Sequence, residues 1–134
     1  MTITVTRDLS HAMRHMVQIG EHHLATDVSV AEGGEDSGPS PHDLYDAALG
    51  TCKALTLLWY ARRKGIPLED VQVQVERDDS QERHGVYRLT TAIKVSGALS
   101  EGQRQELLAV ASKCPVHKLM TSVTTEIATT LEQA

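Results

Sequence analysis

Ser40-Pro-His-Asp-Leu-Tyr-Asp-Ala-Ala-Leu-Gly-Thr-Cys-Lys-Ala-Leu-Thr-Leu-Leu-Trp-Tyr-Ala-Arg-Arg-Lys-Gly65 is the stretch on which the fold turns. Ser40 suits an N-cap and Pro41 falls at N1, where a missing N–H is no loss. Asp43 at N3 places a negative charge on the positive end of the dipole. Arg62, Arg63 and Lys64 fill the last turn, where cations are favoured, and Gly65 takes the C′ position with Pro67 behind it. The pattern predicts a helix of about six to seven turns at roughly 3.6 residues per turn. Between Ala47 and Ala61 its only charge is Lys53, so most of its circumference needs protein cover. One chain of 134 residues rarely encloses so long a helix, and a second subunit packed around it is expected.

On the N-terminal side, Thr2 to Thr6 alternates polar and apolar as a half-buried strand does. Met13 to Ile19 and His23 to Val30 are expected to pair as a hairpin turning at Gly20, and Gly33 to Pro39 is a turn-rich loop. On the C-terminal side, Val71, Val73 and Val75 share one face of a strand. Tyr87, Leu89, Thr91, Ile93 and Val95 share one face of the next, with Asp78 to Gly85 as the connecting loop. Ser100 and Gln103 form a capping-box pattern opening a helix that runs to about Ala111. Cys114-Pro115 starts a short helical turn through Met120, and Val123 to Leu131 alternates as a closing strand. Hairpins interrupted by helices predict an α+β chain, mostly antiparallel, organised as a single domain over residues 1–134.

Composition narrows the function. Thirteen basic against eighteen acidic side chains give a net charge of −5, and four aromatics with no Phe leave no stacking platform, so nucleic acid is not the expected partner. No run is long and apolar enough for a membrane span, and no basic amphipathic face suits a membrane surface. Charges at Arg7, Asp8 and Arg14 and the histidines His11 and His15 do not fit a secretory signal, so a cytoplasmic location with reduced thiols is expected. His11 with His15, and His22 with His23, lack a third ligand at metal spacing, so no metal site and no cofactor are expected. Gly33, Gly34 and Gly38 lack the Lys-Ser/Thr that completes a phosphate loop.

The two cysteines, Cys52 and Cys114, are the informative pair. Cys52 lies mid-helix with Tyr45, Ala48, Leu49, Thr56 and Trp59 on or near its face. It is either an apolar filler or a nucleophile that needs a cation or strong donor beside it. Pro115 places Cys114 at an N-cap, where backbone N–H groups and the dipole lower a thiol pKa, with His117 and Lys118 adding positive potential. A small cap residue without chemistry is the other reading. The sulfurs meet only if the short helix packs on the middle of the long one. If they do, a sulfenic acid formed on one thiol can condense with the other.

Ser40-Pro-His-Asp-Leu44, Ala47-Ala-Leu-Gly-Thr-Cys52, Tyr60-Ala-Arg-Arg-Lys-Gly65 and Cys114-Pro-Val-His-Lys118 resemble the OsmC/Ohr family of thiol-dependent peroxidases, over nearly the whole chain. The resemblance implies an intertwined homodimer with antiparallel sheets wrapped around a long central helix and two sites at the subunit interface. It implies that Cys52 is the peroxidatic nucleophile and Cys114 the resolving thiol. The substrates implied are organic hydroperoxides and, less well, hydrogen peroxide, with an external dithiol restoring both cysteines. An N-terminal arginine, Arg14 or else Arg7, is expected to stabilise the thiolate. His42 occupies the position where the family carries a glutamate, with Asp43 beside it; ten residues of helix rise roughly 15 Å, so either acts across the dimer or on the arginine. Tyr45, Leu49 and Trp59 are expected to line the substrate pocket. The alternative from another class is a non-catalytic dimeric small-molecule binding protein that kept the pocket and cysteines with weak or lost turnover.

Overall fold

The computed structural model describes residues 1–134 as two compact units, Met1–Ala47 and Ala48–Ala134. The architecture is α+β and every strand pairing is antiparallel.

The first unit holds a three-stranded meander, β1 (Ile3–Arg7), β2 (His15–Ile19) and β3 (His22–Thr26), in the order β1-β2-β3. Val5 opposes Val17, and Val17 opposes Leu24, so one apolar row crosses all three strands. Ile19 pairs directly with His22, making Gly20-Glu21 a two-residue turn. The expected third strand is shorter than its alternation suggested. It stops at Thr26, and Val30 enters a single 3-10 turn, Val30–Glu32. Asp27 ends the strand because its buried carboxylate gathers the following loop. It accepts the N–H groups of Val28 (2.8 Å), Glu35 (3.1 Å) and Ser37 (3.1 Å) and the Ser37 hydroxyl (2.6 Å).

Helix α1 (Pro41–Lys64) spans 24 residues with the expected ends. The Ser40 hydroxyl accepts the Asp43 N–H at 3.1 Å, and the Asp43 carboxylate accepts the Ser40 N–H at 2.9 Å, a reciprocal cap. At the other end Gly65 takes φ +68°, which lets the Ile66 N–H return to the Ala61 carbonyl at 2.9 Å.

The second unit adds β4 (Asp70–Asp78) and β5 (Arg88–Ser96), a long hairpin in which Val71, Val73 and Val75 oppose Val95, Ile93 and Thr91. Tyr87 lies before β5 rather than on its face, because the connecting turn holds the chain until Arg88. Helix α2 (Glu101–Ala111) starts with the capping box expected at Ser100 and Gln103. Helix α3 (Pro115–Thr121) follows with Pro115 at its first position. The core of this unit is Leu57, Ala61, Ile66, Leu107 and Ala111, with Val71, Ile93 and Val95 of the hairpin packed against it. Gly50 allows α1 to meet β4, since a Cβ there would come within 2.8 Å of Val75 Cγ2.

One expectation does not survive. The closing strand over 123–131 does not form: residues 123–134 carry no regular structure, and Ile127 and Leu131 are exposed. Alternation is not enough for a strand, which needs a partner edge for its backbone groups. Within α1 the one charge of the apolar run is buried while apolar neighbours are not. Lys53 is 3% exposed, against 61% for Leu55 and 59% for Trp59.

Candidate active site

The geometry that brings the cysteines together begins with Pro115. Having no N–H, it leaves Val116 and His117 with the first free donors of α3, and the chain turns into the helix through Cys114 at φ −63°, ψ 152°. The Val116 N–H donates to Cys52 Sγ at 3.4 Å. The His117 N–H faces the Cys114 sulfur and favours its anion, although the Cys114 side chain does not cap the helix. The two sulfurs themselves interact, and both cysteines are free thiols. Cys52 is half-buried, with the Thr56 hydroxyl 3.9 Å from its sulfur, and Cys114 is fully buried. The packing of the short helix on the middle of the long one, which the meeting of the sulfurs required, is therefore present.

Electrostatics correct one expectation. The N-cap position was expected to lower the Cys114 pKa. Instead burial pushes that thiol up, and the neighbouring Cys52 adds to the rise. The His117 N–H and the charge of Lys53 oppose it without prevailing. Lys118, expected to supply positive potential, is exposed. The cation of the site is Lys53. Its Nζ donates to the Ala111 carbonyl at 2.6 Å and lies 3.0 Å from His117 Nδ1. Sequence reasoning missed this residue as a site group, although a lone charge inside an apolar run was the signal for it.

The other candidates are placed as follows. Arg14 pairs with Asp8, Nε to Oδ2 at 3.2 Å, without the alignment of a hydrogen bond. Arg7 reaches the Ala12 carbonyl at 3.5 Å. Asp43 is engaged in the helix cap with Ser40, and His42 is exposed on the same first turn. Leu49 is buried, while Tyr45 and Trp59 are exposed. The Arg63 guanidinium lies 5.0 Å from the Trp59 ring centroid, a cation–π contact. No three His, Cys, Asp or Glu side chains gather to hold a metal, and no helix is long and apolar enough to cross a membrane.

Three solved structures illustrate the likeness. The OsmC-like protein of Mycoplasma pneumoniae is 18% identical, with 91% of this chain and 87% of that one covered and a TM-score of 0.72. The organic hydroperoxide resistance protein OsmC of Legionella pneumophila is 20% identical over 90% and 88% of the two chains, with a TM-score of 0.67. The organic hydroperoxide resistance protein OhrB of Bacillus subtilis is 21% identical over 90% of each, with a TM-score of 0.60. The fold is thus that of the OsmC/Ohr proteins. No curated protein sequence matches. The family model for OsmC-like protein matches residues 34–128, a span that includes both cysteines and all of α1. The chain belongs to the OsmC-like protein family.

Proposed function

We propose that the protein is a thiol-dependent peroxidase that reduces organic hydroperoxides and, less well, hydrogen peroxide. The observation that carries this reading is the junction of two free thiols at the start of α3, with the Val116 N–H on Cys52 Sγ and Cys114 against it. The half-buried Cys52 is the thiol a substrate can reach, and the fully buried Cys114 is positioned to answer it.

The Cys52 thiolate attacks the outer peroxide oxygen. The O–O bond breaks, the alcohol leaves with a proton, and Cys52 becomes a sulfenic acid. The Cys114 thiolate then attacks the Cys52 sulfur, the S–O bond breaks, and hydroxide leaves as water with the proton that Cys114 gave up. An external dithiol reduces the resulting disulfide by two exchange steps and is itself oxidised. The Val116 N–H points at Cys52 Sγ, the sulfur that makes the first attack.

The working unit is a single domain in a cytoplasmic homodimer. Arg14, with Arg7 as the other candidate, stabilises the thiolate. His42 or Asp43 takes the family's glutamate position, and Tyr45, Leu49 and Trp59 line the pocket. The exposure of Leu55 and Trp59 on α1 supports the dimer, since large apolar side chains on a long helix call for a covering surface. The test is stoichiometric: the reduced protein is titrated with an organic hydroperoxide and, separately, with hydrogen peroxide, and free thiols are counted. Two thiols are expected to disappear per hydroperoxide consumed. Persistence of both under excess hydroperoxide removes the peroxidase reading and leaves a binding protein.

A further inference from the structure

Lys53 is a buried ammonium without a counter-charge. It is 3% exposed, and no carboxylate lies within ion-pair distance of it. Of its three N–H donors, one goes to the Ala111 carbonyl at 2.6 Å and at most one to His117 Nδ1, 3.0 Å away. That leaves at least one proton with no acceptor in the protein. No carboxylate compensates the desolvation of its charge. The two groups it holds flank Cys114 in the chain: Ala111 ends α2 before it, and His117 lies in the first turn of α3 after it. These two contacts set the ammonium beside the segment that carries Cys114, where its charge favours the thiolate. The charged and titratable groups acting on that sulfur are Lys53 and Cys52, with the His117 backbone N–H beside them; the His117 ring lies against Lys53.

We propose that Lys53 is the counter-ion of the Cys114 thiolate, the buried positive charge against which the resolving sulfur gives up its proton before it attacks the oxidised Cys52. The assignment deepens the peroxidase reading and rests on it for its place in turnover. The thiol gives up a proton, the negative sulfur is balanced by the ammonium, and the same negative charge leaves as hydroxide when the S–S bond forms. Lys53 is neither consumed nor oxidised. Acting through space and through His117, it is a positioning residue.

A purely structural role is the competing account, because a cation at the Ala111 carbonyl also suits the C-terminal end of α2. Lys53→Met separates the two, keeping the length and removing the charge. Replacing an unpaired buried charge by an apolar chain is expected to leave folding intact, checked by thermal melting. The Cys114 thiolate is followed by its ultraviolet absorbance against pH in Cys52→Ser, where it is the only thiol. The double variant lacking both cysteines serves as blank. Adding Lys53→Met is expected to move the titration to higher pH and to lower the thiolate fraction at neutral pH about tenfold, the effect of roughly 1.4 kcal/mol of lost charge interaction. Lys53→Arg, retaining the charge, is expected to keep the curve within a fraction of that displacement if it melts like the native chain. Superimposable curves for Cys52→Ser with and without Lys53→Met overturn the assignment. No peroxide is used, so a displaced curve in a chain that consumes no hydroperoxide upholds the counter-ion and removes the peroxidase.

Discussion

The backbone N–H of Val116 reaches Cys52 Sγ at 3.4 Å, although 64 positions separate the two residues. The contact ties Cys52 to a helix that begins at the other cysteine. Pro115 makes it available: with no N–H at the first helical position, the next donor in line is Val116. The contact gives this mid-helix thiol a polar neighbour.

Cys114→Ser removes the proposed resolving thiol and leaves the Val116 N–H in place. After one equivalent of organic hydroperoxide, this variant is expected to lose its remaining thiol and to gain a sulfenic-acid adduct with dimedone on Cys52, read by peptide mass. Turnover with a dithiol is expected to fall. Cys52→Ser is expected to be inert to the same treatment. A Cys114→Ser protein that keeps its Cys52 thiol would place peroxide attack elsewhere.

Gly50 is where α1 approaches β4, and any Cβ there meets Val75 Cγ2 at 2.8 Å. Gly50→Ala combines a better helix former, by about 1 kcal/mol, with that close contact, and the two effects oppose each other. Gly50→Val adds branched bulk against the same sheet and is expected to destabilise by about 1–3 kcal/mol. Urea unfolding should show a lower midpoint with the slope unchanged. A midpoint at or above the native value would mean that the α1–β4 contact is looser than the structure has it.

Much of this is legible in the sequence alone. The ends of α1 follow from side chains that act within one turn, so Ser40, Asp43 and Gly65 could be placed from local chemistry. The capping box at Ser100 and the β4–β5 pairing are equally local or periodic. What could not be seen depends on partners distant in sequence. Lys53 was visible only as an interruption of an apolar run, because its acceptors, Ala111 and His117, belong to later helices. The sign of the Cys114 shift was misjudged for the same reason. The N-cap was in the sequence, but the burial that outweighs it was not. Val123 to Leu131 alternates correctly for a strand, yet no edge of this chain receives it.

Asp27 gives the first unit an acid-sensitive point. Its carboxylate is held well below the usual range, chiefly by the Ser37 hydroxyl and then by the Val28, Ser37 and Glu35 N–H groups, against the opposing effect of burial. A depressed folded pKa favours the folded state fully above the ordinary carboxyl pKa, near about pH 4. That contribution is lost as the pH falls through the lower folded value. The 28–37 loop is therefore expected to open in acid before the β4–β5 hairpin does, read as faster amide exchange at Glu35 and Ser37. Asp27→Asn should show the same exposure already at neutral pH and lose the acid dependence. Unchanged Glu35 and Ser37 exchange in that variant would show that the loop is held by other contacts.

The exposed face of α1 bears on assembly. Leu55 is 61% and Trp59 59% exposed, while the α1 residues turned inward, Leu57 and Ala61, are almost fully covered by their own chain. Leu55→Asp places a charge on the outer face without touching the inner one. In an isolated chain this change lies at solvent and is expected to alter stability by no more than about 0.5 kcal/mol. In the proposed homodimer it buries an unpaired carboxylate, so it is expected to weaken association and to lower the melting temperature in a concentration-dependent way. Sedimentation equilibrium of the native chain and of Leu55→Asp checks this directly, with a dimer expected for the first and a shift toward monomer for the second. Leu107→Ala is the control. It empties a core position that is 2% exposed and is expected to cost about 2–5 kcal/mol whatever the assembly state. A dimer that tolerates Leu55→Asp with undiminished affinity would exclude this face of α1 from the interface.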